Sequence, residues 1–270
     1  MTINANAKLN LFLDILGKRD DGYHNITSIM QEIDLHDILD VELSNNLDIC
    51  VSCDNSLIPT DNRNIAYRAA ELFAKRLKRV SGYSFGVKIH IQKKIPVMAG
   101  LGGGSADAAA VLKALNRLHD DVFGKDALLE MGLELGADVP FCLTGGRAQC
   151  RGIGEIITPF ADLPPQFYVI VQPDFYFDTK SAYERFSGVE GGFKPSEPFL
   201  NIFQQLYNDE RIDGICDELL ALGAKSASMT GSGSAVFGVF ADMKSARAAL
   251  PKLDYPFKCI SRNVIRGVRV

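Results

Sequence analysis

The stretch "PVMAGLGGGSADAA", Pro96 to Ala109, holds four glycines in the five residues from Gly100 to Gly104 and then turns to serine and alanine. Glycine lets backbone N–H groups come close to a ligand, and a helix starting behind the loop aims its positive dipole end at the same place. That is anion-binding chemistry. The pattern G-x-x-x-x-G-K-[ST] does not fit, because no lysine follows the glycines. The pattern G-x-G-x-x-G fails on register: the third glycine falls on Ser105 counted from Gly100, and on Asp107 counted from Gly102. A structural turn rarely needs three successive glycines with a helix cap behind them, so the loop reads as a phosphate cradle without a lysine of its own.

Other chemically able residues lie elsewhere in the chain. Lys8 and Asn10 in "AKLNLFLDI" fall on one face of a strand; the plain alternative is an edge strand with a solvated face. Asp138 in "GADVPFCLTGG" stands between glycine-flanked turns, and Pro140 favours an extended Val139. Taken alone, Asp138 reads as the cap of a turn. Tyr23 and His24 follow an Asp21-Gly22 turn, where an aromatic beside a histidine can stack on a ring and hydrogen-bond it, or simply pack at the surface. "TGSGSAVFGVF", with Gly231 and Gly233, reads by itself as a hairpin turn.

The elements that must position these residues are legible in outline. "KLNLFLDILGKR" and "HNITSIMQEIDLHDILDVEL" are strand-like, and "GVKIHIQKKI" alternates Val87, Ile89 and Ile91. Asn64–Arg79 is helical, with Ile65, Ala69, Leu72, Phe73 and Leu77 on one face. Ser105–Leu118 is a second helix with Ser105 as its expected N-cap. "KDALLEMGLELG" is a short third helix, and a turn and strands follow from Ala137. After Pro165 come the strand "FYVIVQP", helices at Ser181–Phe186, Phe199–Gln205 and Ile215–Leu222, a glycine hairpin, and the amphipathic "DMKSARAALPKL". An α+β chain of two domains is expected, with the boundary near residue 157.

Composition bounds the function class. The 270 residues are 47% apolar and 23% charged, as in an ordinary globular protein. A net charge of −4 argues against general binding to nucleic acid or an anionic membrane. Cys50-x-x-Cys53 has ligand spacing, but no second pair or nearby histidine completes a zinc site, and "LDICVSCD" reads as a strand. No apolar run approaches the roughly twenty residues that span a bilayer. A reducing cytoplasm with free thiols is the expectation.

Together the motifs are similar to those of the GHMP kinase superfamily. "PVMAGLGGGSADAA" resembles its phosphate-loop signature, "AKLNLFLDILGKRDDGYHNI" its first motif and "MTGSGSAVFGVF" its third. "KLNLFL", "DGYH", "GLGGGSADAA" and "LGADVPF" point to one branch of it, and the resemblance runs from Lys8 to Phe240. It implies a two-domain α+β fold, with an S5-like N-terminal domain over 1–156 that binds ATP and catalyses. A ferredoxin-like substrate-side domain would cover 157–270, and the active site would lie in the cleft between them. It further implies phosphorylation by ATP and Mg²⁺ of the 2-hydroxyl of cytidine diphosphate-linked methylerythritol, in non-mevalonate isoprenoid precursor synthesis. The protein would be cytoplasmic, a monomer or weak homodimer, with a small-molecule substrate and neither nucleic acid nor membrane as partner.

Carried over by motif position, Lys8 and Asp138 would be the catalytic pair, Lys8 keeping Asp138 ionised, with Asn10 close by on the substrate. Pro96, Val97, Met98, Ala99, Gly100, Leu101, Gly102, Gly103, Gly104, Ser105 and Ala106 would wrap the ATP phosphates. Tyr23 and His24 would bind the cytosine, with Tyr183 as a second aromatic against it. Asn62 and Asn64 resemble an adenine-side loop, and Lys94 precedes the phosphate loop. The chain departs from the family pattern at Asn6, at Ala106-Asp107 and at Ser234, which touches loop hydrogen bonding and no charged catalytic group. Two rivals stay open: a sister kinase acting on homoserine or a mevalonate derivative, which would need no cytosine, and a non-catalytic nucleotide sensor, which would not need Lys8 and Asp138.

Overall fold

The computed structural model describes residues 1–178, 181–183, 186 and 199–266. The chain forms two compact units that do not follow chain order: Met1–Ala7, Leu35–Ile95 and Gly102–Thr144 make one, and Lys8–Asp34, Pro96–Leu101 and Gly145–Val270 the other. Two long strands, β1 (Thr2–Lys18) and β2 (His24–Ser44), contribute to both, and they pair with each other.

In the first unit the second half of β2 pairs antiparallel with β4 (Gly86–Gln92), Ile38 opposite Gln92 through Ser44 opposite Gly86. β3 (Ile49–Cys53) lies parallel on the other side of β4. Val87, Ile89 and Ile91 are buried while Lys88 and His90 face out, as the period of two requires. Four helices complete the unit: α1 (Ile65–Ser81), α2 (Gly103–Leu118), α3 (Lys125–Leu135) and α4 (Val139–Thr144). Asn64 caps α1, its Oδ1 accepting from Ala66 N at 2.8 Å, and Ala66, Ala69, Ala70, Phe73 and Leu77 form its buried face. α2 packs against α1 and buries an unbroken run from Ala106 to Leu112. Alanines allow that close approach, which holds α2 against α1.

In the second unit the first half of β2 pairs antiparallel with β5 (Arg147–Gly152), which pairs with β6 (Ile156–Pro159). A four-stranded antiparallel sheet runs in the order β10 (Phe257–Arg262), β7 (Phe167–Gln172), β9 (Val236–Phe240), β8 (Ser226–Met229). Helices α5 (Ile202–Tyr207), α6 (Glu210–Ala221) and α7 (Met243–Ala249) belong to this unit. Leu13, Ile26, Val169, Phe203, Leu219 and Phe240 share its core.

Five expectations change. The helix expected over Ile215–Leu222 begins at Glu210, where Asp209 caps it by accepting from Arg211 N. α2 starts at Gly103 and not at Ser105, with Gly102 as its cap in the left-handed region (φ 71°) and no side-chain cap. Glycine takes that conformation freely, so no hydroxyl covers the first N–H groups. The segment after Asp138 is helical, not a turn into strands: α4 begins at Val139, and Cys142 N donates to Asp138 O at 3.1 Å. Pro140 sits in the first turn of that helix, where no N–H is needed. α5 starts at Ile202, because Asn201 caps it through Phe203 N at 2.9 Å. β10 is an added strand, paired with β7, that the alternation alone did not announce. Of the helix expected over Ser181–Phe186, 184–185 lie outside the described residues. None of the six cysteines is in a disulfide, and Cys50 and Cys53 lie on β3.

Candidate active site

β1 places Lys8 and Asn10 on one face, and both are buried, at 4% and 3% exposure. The solvated-edge alternative is thereby excluded: these are buried polar groups that need partners. Lys8 Nζ donates to Asn10 Oδ1 at 2.5 Å and to Gly100 O at 2.9 Å. Asn10 Nδ2 donates to Ser28 Oγ at 2.9 Å, and Ser28 Oγ in turn to Phe12 O at 2.7 Å. Asn10 N donates to Thr230 Oγ1 at 3.0 Å. The ammonium of Lys8 is therefore held in place by a chain of side chains from β1, β2 and the hairpin after β8.

The glycine loop is held through its acceptors. Val97 O accepts from Gln172 Nε2 at 3.0 Å, Ala99 O from Ala235 N at 3.1 Å, Gly100 O from Lys8 Nζ, and Leu101 O from Lys8 N at 3.0 Å. Gly100 has φ 75°, and a Cβ there would collide with the carbonyl oxygen of Thr230. Only glycine lets the third glycine motif come so close to the second. Further along, the first backbone bond of α2 runs from Ala106 N to Gly102 O at 2.9 Å. The N–H groups of Gly103, Gly104 and Ser105 precede that ladder and carry the positive end of the helix. A loop whose carbonyls are spent on protein, ahead of a helix start without a side-chain cap, fits a bound polyanion.

Asp138 is half-buried at the residue before α4. Tyr23 is exposed beyond the Asp21-Gly22 turn, where Gly22 N donates to Arg19 O at 3.1 Å. His24 stacks on Tyr183 with ring centroids 5.1 Å apart and an interplanar angle of 26°, and Phe186 meets His24 edge-on at 5.9 Å. Burial, and secondarily Lys18, holds the His24 imidazole below its ordinary range. The ring is accordingly favoured neutral, suited to both stacking and hydrogen bonding.

Asn64, placed by resemblance near an adenine, has its side chain engaged as the cap of α1 and as a donor to Pro59 O at 2.8 Å. Sequence reading passed over Ser28, Thr230 and Asn201, whose side chains orient Lys8 and the third glycine turn. It also passed over Lys93 and Asp37, and named Asp107 only as a departure from the family's loop pattern. Each is an ordinary polar residue in a strand, a helix or the connection beside one, and only its burial or its bonds mark it.

Comparison with known proteins bears on the fold and the family. Residues 64–146 match the GHMP kinases N terminal domain and residues 199–259 the GHMP kinases C terminal domain. A 4-diphosphocytidyl-2-C-methyl-D-erythritol kinase of Caldicellulosiruptor saccharolyticus is 42% identical over 94% of this chain and 92% of its own. One from Clostridium perfringens is 39% identical over 96% and 95%. A crystal structure of 4-(cytidine 5'-diphospho)-2C-methyl-D-erythritol kinase superposes with a TM-score of 0.83 at 33% identity, over 97% of this chain and 99% of that one. The mevalonate kinase of Methanococcus jannaschii shares the fold at 16% identity with a TM-score of 0.71. The chain belongs to the GHMP kinases, and among them to the 4-diphosphocytidyl-2-C-methyl-D-erythritol kinase family.

Proposed function

We propose that this chain transfers the γ-phosphoryl group of ATP to the 2-hydroxyl of 4-diphosphocytidyl-2-C-methyl-D-erythritol. The observation that carries the reading is the held ammonium of Lys8, bound to Asn10 Oδ1 and to the glycine-loop carbonyl of Gly100. A nucleotide sensor has no need of a buried cation fixed by side chains from three elements.

ATP supplies the phosphoryl group. Phosphoryl transfer asks a protein mainly for positioning and for stabilisation of charge. In this reading Pro96–Ala106 wrap the phosphates, the N–H groups at the start of α2 binding them, while Lys8 supplies the compensating positive charge. Asp138 receives the proton of the acceptor hydroxyl, a role that typically contributes ~10²–10⁴-fold. Asn10, with its amide engaged by Lys8 and Ser28, serves by orienting that lysine. Tyr23, His24 and Tyr183 bind the cytosine, where stacking is worth about 1–3 kcal/mol per base–aromatic contact.

Among the described residues no group of three or more His, Cys, Asp or Glu is arranged for a metal ion. In this reading Mg²⁺ enters with the nucleotide, held chiefly by its phosphates. No helix of the described chain is long and apolar enough to cross a membrane. We assign the protein to the cytoplasm, as a monomer or weak homodimer with a small-molecule substrate and no nucleic-acid partner. Along the chain, the nucleotide and catalytic part is assigned to 1–156 and the substrate-side part to 157–270.

The test incubates purified protein with ATP, Mg²⁺ and 4-diphosphocytidyl-2-C-methyl-D-erythritol, and scores ADP against a control without acceptor. Acceptor-dependent ADP is expected. Nucleotide binding without ADP release would reject this acceptor.

A further inference from the structure

A buried charge cluster stands at the base of the glycine loop, wholly within the first unit. Lys93, just past β4, places its Nζ 2.5 Å from Asp37 Oδ2 and 2.7 Å from Asp107 Oδ2. The three side chains are 4%, 0% and 5% exposed. Asp37 Oδ1 also accepts from Lys94 N at 2.6 Å and Ile95 N at 2.8 Å, and Lys93 N donates to Asp54 Oδ1 at 2.8 Å. Asp37 on β2 thus fixes the whole arm 93–95 that leads into the loop. Asp107 lies on α2, the helix that leaves it. The same ammonium lies 3.1 Å from where a Cβ would stand on Gly103, the first residue of that helix.

One cation is shared by two carboxylates, and the two are not equally served. Asp37 accepts from two backbone N–H groups besides Lys93. Asp107 has Lys93 on one oxygen, while Oδ1 is buried without a hydrogen-bond partner among the described residues. Burial works against the ammonium of Lys93, but the carboxylates of Asp107 and Asp37 outweigh it and hold the group charged. Lys93 is therefore a permanent bridge, and breaking it costs more than a surface ion pair would.

We propose that Lys93 is a positioning residue for nucleotide binding. Through Asp37 and Asp107 it locks the arm entering the glycine loop to the first turns of α2, and so aims the N–H groups of Gly103–Ser105. The inference rests on the nucleotide reading above and adds what holds the seat in shape. It locates a determinant of ATP affinity in a buried cluster with no contact to the acceptor assigned to it.

Steady-state kinetics with ATP and acceptor varied separately tests it, using Lys93→Met, Asp107→Asn, Asp107→Leu and the double variant Lys93→Met/Asp107→Leu. Losing a charged hydrogen-bond partner predicts a rise of about tenfold in KM for ATP in Lys93→Met and in Asp107→Leu. The acceptor KM stays within about twofold, the scatter expected of an uncoupled site. Asp107→Asn keeps an acceptor oxygen for Lys93 and has the smaller effect, about threefold or less. The double variant is no worse than either single variant, because both changes break the same bridge.

Equal rises in both KM values that track the loss of melting temperature would overturn the proposal in favour of general destabilisation. Additive effects in the double variant, or Asn as damaging as Leu at position 107, would also overturn it. If Lys93→Met does not fold, the Asn–Leu comparison decides alone. A wild-type protein without saturable ATP dependence would instead remove the nucleotide reading.

Discussion

At the scale of single residues, charge and its environment decide what each group does. Asp138 is the proposed acceptor of the hydroxyl proton, and Asp138→Asn keeps its shape while removing its basicity. Turnover is expected to fall by about 10²-fold or more, with ATP still bound. Rate measurements paired with calorimetric titration of ATP check this, and a near-normal kcat would end the base assignment. Asp107 gives a pH prediction. Burial pushes its carboxyl from 3.8 up to about 7, with Lys93 pulling down and Asp37 pushing up. A carboxyl raised on folding favours the native state at low pH, and that benefit drains away as pH rises from about 4 to about 7. The wild type should therefore lose stability over this window relative to Asp107→Asn, by on the order of a few kcal/mol. Chemical denaturation of both proteins at pH 4.5 and 7.5 reads the difference, and parallel pH profiles would refute the assignment.

At the scale of elements, short connections carry the precision of the site. The turn between β8 and β9 brings Thr230 to β1, where its hydroxyl accepts from Asn10 N. Asn201, capping α5, donates to Met229 O at 2.8 Å and to Gly231 O at 2.9 Å, and so holds the same turn. Thr230→Val is close in shape but leaves the buried N–H of Asn10 unpaired, at a cost of about 1–3 kcal/mol. Lower stability together with reduced kcat is expected, because Asn10 in turn orients Lys8. Denaturation curves and rates on one preparation check both, and unchanged kcat would show that Lys8 is held without this turn. Element types were largely readable from the chain: the alternation of Val87, Ile89 and Ile91 and the buried face of α1 appear as the periodicity required. Boundaries were less so. A glycine in the left-handed region outcompeted Ser105 as the cap of α2, and Pro140 opened a helix where an extended run was expected.

At the scale of the whole molecule, a ligand that binds only the folded chain stabilises it by mass action. ATP at about a hundredfold over its Kd adds about 2.7 kcal/mol, a rise of several degrees in melting temperature for a chain of this size. The rise should shrink when EDTA removes Mg²⁺, if the metal arrives with the phosphates. A melting temperature indifferent to ATP would count against the nucleotide site as a whole. The sequence carried the reaction class through its resemblance to the GHMP kinases: the glycine loop announced anion binding by itself, while Lys8, Asp138 and "DGYH", read singly, each had a plain structural alternative. It also carried the α+β class, since periodicity is a local property. Only the tertiary structure decided which polar residues are buried and what satisfies them. Asn10 with Thr230, Lys8 with Gly100 and Lys93 with Asp37 and Asp107 are pairs far apart in the chain. It also drew the compact units across chain order, joining Lys8–Asp34 and Pro96–Leu101 to the C-terminal half. The physical reason is that burial and hydrogen-bond satisfaction are settled by contacts between distant segments, which leave no periodic trace in the residues that make them.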